Sequence, residues 1–548
     1  MEKLRFIPLG GLGEIGKNMA LLEYHNHAIM IDAGLMFPDD QHFGIDYIIP
    51  DFNAYIDRPG YLKAILLTHA HEDHIGALPY LLQKVNVPIY GTKLTLGLVQ
   101  SKLMEFSWIH DLVLKEVQPR KTYTIDVFRV EFIRVTHSIA DSCGLAIQTP
   151  VGIVIHTGDF KIDSTPIDGI TTDLSRFAEY GEKGVLLLLS DSTNVERKGI
   201  SNSEKNVGEK FDNIFPNVQG KIIVTCFSSN IHRIQQVINS ARKIGRKICI
   251  LGRSMIRNTQ VARELGYMHV PADQLILPEN LQSVEDSQVV IITTGSQGEP
   301  MSSMMRMALD EHKDIKIHSG DLIIFSARTI PGNERAISRV INLLYKKGAN
   351  VLYETISEIH ATGHACQEEQ KLMILMVKPK NFVPIHGEYR HLVLHAELAQ
   401  SLGVPKVFVV ENGDQLELNS QMIQLHKGLP VGIMMVDRNN WSEIGEVVLR
   451  DRKQLSADGV VVAFVIVDTS TGNVISKPEL ITRGFSENSS EEIIQEAREL
   501  ILENFNQEKY SSETNWNHVK EALRKRLLKF FFRKSNRRPM ILPIIIEI

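Results

Sequence analysis

Thr68-His69-Ala70-His71-Glu72-Asp73-His74-Ile75-Gly76 follows the apolar run Ala64-Ile65-Leu66-Leu67 and sets four potential metal ligands, His69, His71, Asp73 and His74, within six residues. Three imidazoles and a carboxylate packed this closely waste burial and repel one another when protonated, unless a cation shares their lone pairs. The preceding run reads as a buried strand, and Ile75, Leu78 and Leu82 fall at helical spacing, so the ligands occupy a strand-to-helix turn. On such a turn His69 and His71 face one cation while Asp73 and His74 face another. That geometry suits a two-metal site, in which cations roughly 3.5–4 Å apart share a hydroxide and stabilise displacement at an ester. Neutral imidazole with carboxylate suits zinc, and the carboxylates also admit manganese. A solvated histidine-rich loop is the plain alternative, and HxHxDH is too dense for it.

A binuclear site needs ligands from elsewhere, and strand ends supply them. His137 follows Val130-Glu131-Phe132-Ile133-Arg134-Val135-Thr136, and His386 follows Phe382-Val383-Pro384-Ile385. Asp159 follows Gly152-Ile153-Val154-Ile155-His156-Thr157-Gly158, where a glycine permits a tight turn at a crowded centre. Each alone is an ordinary strand-end polar residue; together with the first cluster they complete two coordination shells.

With Asp32, His69-x-His71-x-Asp73-His74, His137 and Asp159 in this order, the chain resembles a metallo-β-lactamase-fold hydrolase. The resemblance implies an αββα sandwich, with His69, His71 and His137 on one metal, Asp73, His74 and His386 on the other, and Asp159 bridging both. Asp32 would be a carboxylate that orients the ligand turn from behind. Asp191 ends the strand Val185-Leu186-Leu187-Leu188-Leu189-Ser190, and Thr362-Gly363-His364 and Pro384-Ile385-His386-Gly387-Glu388 follow. These are similar to the three extra motifs of the β-CASP nucleases, in which a histidine at the last motif accompanies RNA processing. Gly10-Gly11-Leu12-Gly13-Glu14-Ile15-Gly16-Lys17-Asn18, Gly295-Ser296-Gln297-Gly298-Glu299-Pro300 and Arg537-Arg538-Pro539-Met540-Ile541-Leu542-Pro543 resemble the bacterial ribonuclease J family, nearly end to end. One departure is Thr362, where that family usually carries serine; the hydroxyl survives.

The resemblance implies a cytoplasmic metal-dependent ribonuclease of mRNA decay and rRNA processing. It implies 5′-to-3′ exonuclease action on 5′-monophosphorylated RNA, endonuclease action, and assembly as a homodimer or homotetramer, with a paralogue or other RNA-decay proteins as further partners. Asp73 or Asp159 would orient the nucleophile, and His364, paired with Asp191, would protonate the leaving 3′-oxygen. The phosphate pocket would comprise Ser228, Ser229 and Asn230 with the turn His360-Ala361-Thr362-Gly363-His364, and Arg233, Arg253 and Arg257 would add positive charge. By residue type alone, small hydroxyls at a helix N-terminus make either a cap or a phosphate pocket. By resemblance, Gly44 and Asp46, with an acidic residue near Asp437, could bind a structural calcium; ordinary turn chemistry explains the same residues equally well. Two rivals are a non-catalytic RNA-binding paralogue, which has no need of a full ligand set, and a small-molecule hydrolase or lactamase, which has no need of Asp191 or His364.

Gly11-Leu12-Gly13-Glu14-Ile15-Gly16 also fits GxGxxG, a dinucleotide fingerprint. The fingerprint requires a helix after the last glycine, whereas Asn18-Met19-Ala20-Leu21-Leu22-Glu23-Tyr24 reads as a strand. A glycine-rich hairpin passing close to the active site is the better reading.

The 548 residues, 43% hydrophobic and 23% charged, describe a globular chain of roughly three to four domains. No apolar stretch approaches the ~20 residues of a membrane span, so no membrane partner is expected. Cys143, Cys226, Cys249 and Cys366 are far apart and read as free thiols of a reducing compartment. A net charge of −5 does not advertise nucleic-acid binding, so RNA must be met by local fields. The expected domains are a metallo-β-lactamase core over 1–203 and 361–425, an inserted α/β domain over 204–360, a linker over 426–450 around the connector Val431–Arg450, and a C-terminal domain over 451–548. In the last, Val460–Asp468 and Asn473–Ile481 read as a hairpin about Ser470-Thr471-Gly472, followed by helices over Ser490–Phe505 and Trp516–Phe531 and a closing strand over Ile541–Ile548. The basic tail Lys520–Arg538, carrying Leu527, Leu528, Phe530, Phe531 and Phe532, reads as an amphipathic helix packed on that domain.

Overall fold

The computed structural model describes residues 3–38, 42–330, 332–354, 359–419, 422–428, 431–437, 442–468, 471, 473–485, 490–507 and 515–548. They fall into two compact units, 1–37 with 48–433, and 38–47 with 434–548.

The first unit is built on two sheets whose apolar faces meet. One has eight strands, in the order Ile423–His426, Gln415–Leu418, Leu4–Gly10, Met19–Tyr24, His27–Ile31, Leu62–Leu66, Ile89–Gly91 and Leu114–Glu116. The other has seven: Lys406–Val407, Asn381–Ile385, Val185–Asp191, Ile153–His156, Cys143–Gln148, Phe128–Arg134 and Thr122–Ile125. Leu4, Phe6, Leu22, Ile29 and Leu66 of the first interleave with Phe132, Leu145, Val154, Leu187 and Val383 of the second in one buried core. The outer face of the second sheet buries Ile133, Ile155, Leu188 and Phe382 against Phe177, Tyr180 and Met373 of the helices Leu174–Lys183 and Gln367–Val377. The α/β class and the αββα sandwich are those expected.

Strand direction places the chemistry. Leu62–Leu66 runs parallel to His27–Ile31, and Val185–Asp191 runs parallel to both Ile153–His156 and Asn381–Ile385. Asp32, the His69 turn, Asp159, Asp191 and His386 therefore all leave the C-terminal ends of parallel strands, where open α/β sheets bind ligands. Leu4–Gly10 and Met19–Tyr24 pair antiparallel, so the glycines between them open no helix and the dinucleotide fingerprint lacks its context.

Between the two stretches of sandwich lies a five-stranded, all-parallel sheet in the order Lys247–Ile250, Val289–Thr293, Ile222–Thr225, Leu322–Phe325 and Asn350–Leu352. Runs such as Ile222-Ile223-Val224-Thr225 are buried on both faces, as parallel strands covered by helices must be.

In the second unit, Val460–Val467 lies between Glu479–Arg483, antiparallel, and Met540–Glu547, parallel. Alternate residues Val461, Ala463, Val465 and Val467 pack on Ala497, Ile501, Leu523, Leu527 and Phe531 of the helices Ser490–Gln507 and Trp516–Ser535. The expected hairpin differs in register: Asn473–Ile475 makes only isolated bonds to Val460–Asp468, and the second strand starts at Glu479. Pro478 accounts for this, since it has no N–H for the ladder. Ser470 and Gly472 of the expected turn lie outside the described residues. So do parts of the connector Val431–Arg450, whose described residues hold the strand Ile433–Asp437 and the start of the helix Glu446–Asp458.

His395, fully buried on the helix Tyr389–Ser401, shares a hydrogen bond with Ser192 Oγ through Nδ1 (2.9 Å), and its Nε2 has no hydrogen-bond partner among the described residues. Burial pushes its pKa down to about 3, from 6.5. Between those values the unfolded chain holds a proton that the fold excludes, so stability rises with pH there and is lost as pH falls. In His395→Gln the slope of unfolding free energy between pH 4 and 6 should be smaller by about 1.4 kcal/mol per pH unit. Denaturant titrations of both proteins measure it, and equal slopes would show that His395 is protonated in the fold.

Candidate metal centre

The turn after Leu62–Leu66 is held from behind. Asp32, in the left-handed region (φ 58°), accepts from the Thr68 backbone N and Oγ1 (both 2.8 Å) and from His74 Nδ1 (2.8 Å). Thr68 Oγ1, having given its proton to Asp32, accepts from His69 Nδ1 (3.0 Å). His137 Nδ1 donates to the Gly363 carbonyl (2.7 Å). In all three histidines an oxygen takes the Nδ1 proton, so Nε2 is the nitrogen turned inward, the arrangement metal-ligating histidines use.

Those nitrogens converge. His69, His71, His137 and Asp159 form one group of potential ligands within 4.8 Å of one another, and Asp73, His74, Asp159 and His386 form a second. His71 Nδ1 lies 3.0 Å from His69 Nε2 and 3.2 Å from His137 Nε2. Asp159 Oδ2 is common to both groups: it stands 3.7 Å from His69 Nε2, 3.8 Å from His137 Nε2, 3.2 Å from His74 Nε2 and 3.4 Å from His386 Nε2. Asp73 Oδ2 is 3.5 Å from His74 and 3.4 Å from His386. The seven ligands expected from sequence are thus brought together in the two sets expected. A Cβ on Gly158 (φ 59°) would lie 2.7 Å from the Cys143 carbonyl, so only glycine fits the turn before Asp159.

The electrostatics differ between the two sets. Burial drives the pKa of His69 and His137 well below the ordinary histidine value and that of His71 down to about 4, so these three are neutral donors. Burial also opposes charge on the second set, but there the carboxylates outweigh it. Asp159, Asp73 and Asp32 hold His74 well above its usual value, and Asp159, Asp73 and Asp191 bring His386 up to about 9. Against the same burial, His386 and His74 keep Asp159 ionised. Inward-facing imidazole nitrogens around a shared buried carboxylate fit divalent cations bound through nitrogen and oxygen, which would displace the protons of the second set.

Asp191 and His364 stand beside this centre. Asp191 Oδ2 accepts from His364 Nδ1 (2.8 Å), and the His364 ring lies 4.9 Å from that of His137 and 5.3 Å from that of His386, centroid to centroid. Thr362 Oγ1 accepts from Asn194 Nδ2 (2.7 Å) and from the His364 backbone N (3.2 Å).

Fifteen strands in two sheets, an inserted parallel sheet and this ligand set decide the family. The metallo-β-lactamase superfamily model matches residues 12–171, the ribonuclease J β-CASP domain 219–344, the RNA specificity domain of zinc-dependent metallo-hydrolases 348–410, and the ribonuclease J C-terminal domain 447–548. The chain is 44% identical over 540 residues to ribonuclease J of Helicobacter pylori, covering 96% of this chain and 78% of that protein. It is 40% identical over 550 residues to ribonuclease J2 of Bacillus subtilis, covering 100% and 99%. The chain belongs to the ribonuclease J family. Ribonuclease J of Thermus thermophilus is 40% identical over 558 residues, covering 100% of this chain and 96% of that protein. A solved structure of a protein of unknown function from Enterococcus faecalis shares the fold, with a TM-score of 0.54 at 17% identity over 76% of this chain and all of that one. As a ribonuclease J, the protein is a metal-dependent ribonuclease. Among the described residues no helix is long and apolar enough to cross a membrane.

Two expectations change. Arg233 is fully buried, pairs with Glu204 (2.6 Å) and donates to the carbonyls of Ser326 (3.0 Å) and Ile359 (3.1 Å), so its charge is spent inside the fold. Arg257 pairs with Glu105, while Arg253 is exposed at the start of the helix Arg253–Glu264. At the expected calcium position, Arg452 donates to the carbonyls of Phe43 (3.1 Å) and Gly44 (2.8 Å) and stands 3.9 Å from the Asp437 carboxylate.

Sequence reasoning missed Asn18, whose Nδ2 donates to Asp73 Oδ2 (3.2 Å), and Asn194. The glycine loop was the available signal for Asn18, since it places Gly11 against Gly387, directly after His386. Asp159→Ala should lower metal occupancy in both ligand sets, and His71→Ala in one. Metal analysis of purified protein checks this, and an Asp159→Ala protein with wild-type metal content would show that the carboxylate is not shared.

Proposed function

We propose that the protein is a two-metal 5′-to-3′ exoribonuclease with endonuclease activity, preferring RNA with a 5′-monophosphate, and that zinc or manganese occupies the centre. The observation that carries the reading is the single carboxylate oxygen of Asp159, placed within 3.2–3.8 Å of four histidine nitrogens drawn from both ligand sets. His69, His71 and His137 would hold one cation and Asp73, His74 and His386 the other. Two divalent cations held there supply the Lewis acidity that activates water near neutral pH and neutralises a phosphodiester.

The protein's own groups do the rest. Asp73 and Asp159 orient the attacking water. His364 gives its Nε2 proton to the leaving 3′-oxygen, and Asp191, by accepting from Nδ1, turns that Nε2 toward the centre. Water attack at phosphorus with departure of the 3′-oxygen leaves a 5′-phosphate on the downstream product, which is the end group the enzyme accepts next.

The pocket for that phosphate lies at the C-terminal ends of Ile222–Thr225 and Leu322–Phe325, neighbouring strands where the order of the inserted sheet reverses. Ser228, Ser229 and Asn230 follow the first strand and Arg328 the second. Asn230 accepts from the Arg233 backbone N (3.0 Å), so it caps the helix Ile231–Lys243, and Asn258 holds Ser228 through its carbonyl (3.2 Å). Arg328, in place of Arg233, supplies the charge: its guanidinium donates to Asn194 Oδ1 (2.6 Å), and Asn194 in turn holds Thr362. Among the described residues the buried His360 Nδ1 has no hydrogen-bond partner, and burial, with Arg233, Arg328, Lys161 and Arg197 around it, drives its pKa well below the usual value. A cationic surrounding at this buried turn favours an anion. Ala361 and Gly363 complete the turn, and a Cβ on Gly363 would lie 2.7 Å from the His137 ring.

A role in mRNA decay and rRNA processing, a cytoplasmic setting, and a homodimer or homotetramer, alone or with a paralogue and other decay proteins, belong to the same reading. Leu542, Ile544 and Ile546, exposed on Met540–Glu547, support self-association.

On otherwise identical 5′-end RNAs the wild type should release mononucleotides from the monophosphate far faster than from the triphosphate, and a chelator should abolish both. Arg328→Ala should narrow that preference while endonucleolytic cleavage of circular RNA persists. Equal turnover of the two end groups by the wild type would contradict the pocket.

A further inference from the structure

Asp191 lies outside both ligand groups that contain Asp159, yet its two oxygens reach toward different histidines. Oδ2 accepts from His364 Nδ1 (2.8 Å), whereas Oδ1 accepts from the hydroxyl (2.8 Å) and the backbone N (3.0 Å) of Thr193. The same hydroxyl lies 2.7 Å from His386 Nδ1.

A hydroxyl has one proton to give. Two oxygens compete for it, the Asp191 carboxylate at 2.8 Å and the His386 carbonyl at 3.2 Å. The carboxylate is nearer and charged, and charge-assisted hydrogen bonds are roughly twice as strong as neutral ones. With its proton on Asp191, Thr193 Oγ1 offers only lone pairs to His386, so His386 Nδ1 must carry the hydrogen between them. Its Nε2 is then the nitrogen left to face Asp73 Oδ2 and Asp159 Oδ2, each 3.4 Å away.

His386 needs this support more than the other ligands. It is a non-glycine residue in the left-handed region (φ 53°), a conformation that surroundings must impose. It also follows directly on the last residue of a strand, with glycine next, so no helix fixes its ring. Asp32 serves His74, Thr68 serves His69 and the Gly363 carbonyl serves His137; among the hydrogen bonds of the described residues, Thr193 is what His386 Nδ1 meets.

We propose that Thr193 is a positioning residue for the second metal: its hydroxyl, oriented by Asp191, fixes the tautomer and ring angle of His386 and so the affinity of the set formed by Asp73, His74, Asp159 and His386. The inference rests on the reading of His386 as a metal ligand. It separates two duties of Asp191, since losing the Thr193 hydroxyl leaves the bond to His364 in place.

The test is Zn²⁺ titration of metal-free wild type, Thr193→Val and Thr193→Ser against a chromophoric chelator, with thermal unfolding of the metal-free proteins alongside. Wild type should take up two ions. Thr193→Val, close in shape, should bind the first with unchanged affinity and the second about 10- to 100-fold more weakly, the usual cost of losing a group behind a metal-ligating histidine. Thr193→Ser should recover the second affinity, which a purely packing role for the methyl group would not allow. Unchanged affinities in Thr193→Val, or a serine variant as weak as the valine one, would overturn the role. A wild type that takes up a single ion would overturn the two-ion centre and this role with it. Should Thr193→Val fail to fold, as its unfolding curve would show, Thr193→Ser with wild-type second affinity sustains the role and with weakened affinity overturns it.

Discussion

One buried carboxylate oxygen gathers four imidazole nitrogens at 3.2–3.8 Å and needs positive charge beside it, and the rest of the first unit is arranged around that requirement. The two sheets deliver their strand ends to one rim. Where the chain must turn sharply to point a side chain inward it adopts left-handed backbone, at Asp32 (φ 58°), Gly158 (φ 59°) and His386 (φ 53°). Such strain is held at functional sites by over-determined surroundings. Here the surroundings are hydrogen bonds in which oxygens take the outward ring protons.

The inserted sheet is bonded into this centre. Gly363 accepts from His137, Asn194 holds the turn that carries His364, Arg328 holds Asn194, and the buried Arg233–Glu204 pair clasps the carbonyl of Ile359 just before that turn. On the proposed reading, a nucleotide end bound at the inserted sheet and a phosphodiester held at this centre would be set at a fixed distance along the RNA, as stepwise removal of single nucleotides requires. A lactamase needs none of this apparatus, and a scaffold that only binds RNA needs no converged ligands.

The ligands were legible in sequence because each sits at a strand end with a signature of its own: HxHxDH by density, His137, Asp159 and His386 by the apolar runs before them. The groups that orient them carry no local signature. Asn18 reaches Asp73 across 55 positions, Asn194 reaches Thr362 across 168, and Arg328 reaches Asn194 across 134. Only the fold brings such pairs together, and each residue alone reads as a surface polar group. Arg233 failed the other way: its place at a helix start suggested an accessible charge, and its burial depends on Glu204 and Ile359, far off in sequence. The register of the C-terminal hairpin shows a third limit, because apolar alternation continued across Lys477-Pro478 where the ladder could not.

Anomalous diffraction from crystals of the metal-loaded protein, collected at the absorption edge of the bound element, tests the central claim most directly. Two peaks roughly 3.5–4 Å apart, with the Asp159 carboxylate between them, are the predicted result. A single peak, or two peaks with Asp159 touching only one, would contradict the shared-carboxylate centre.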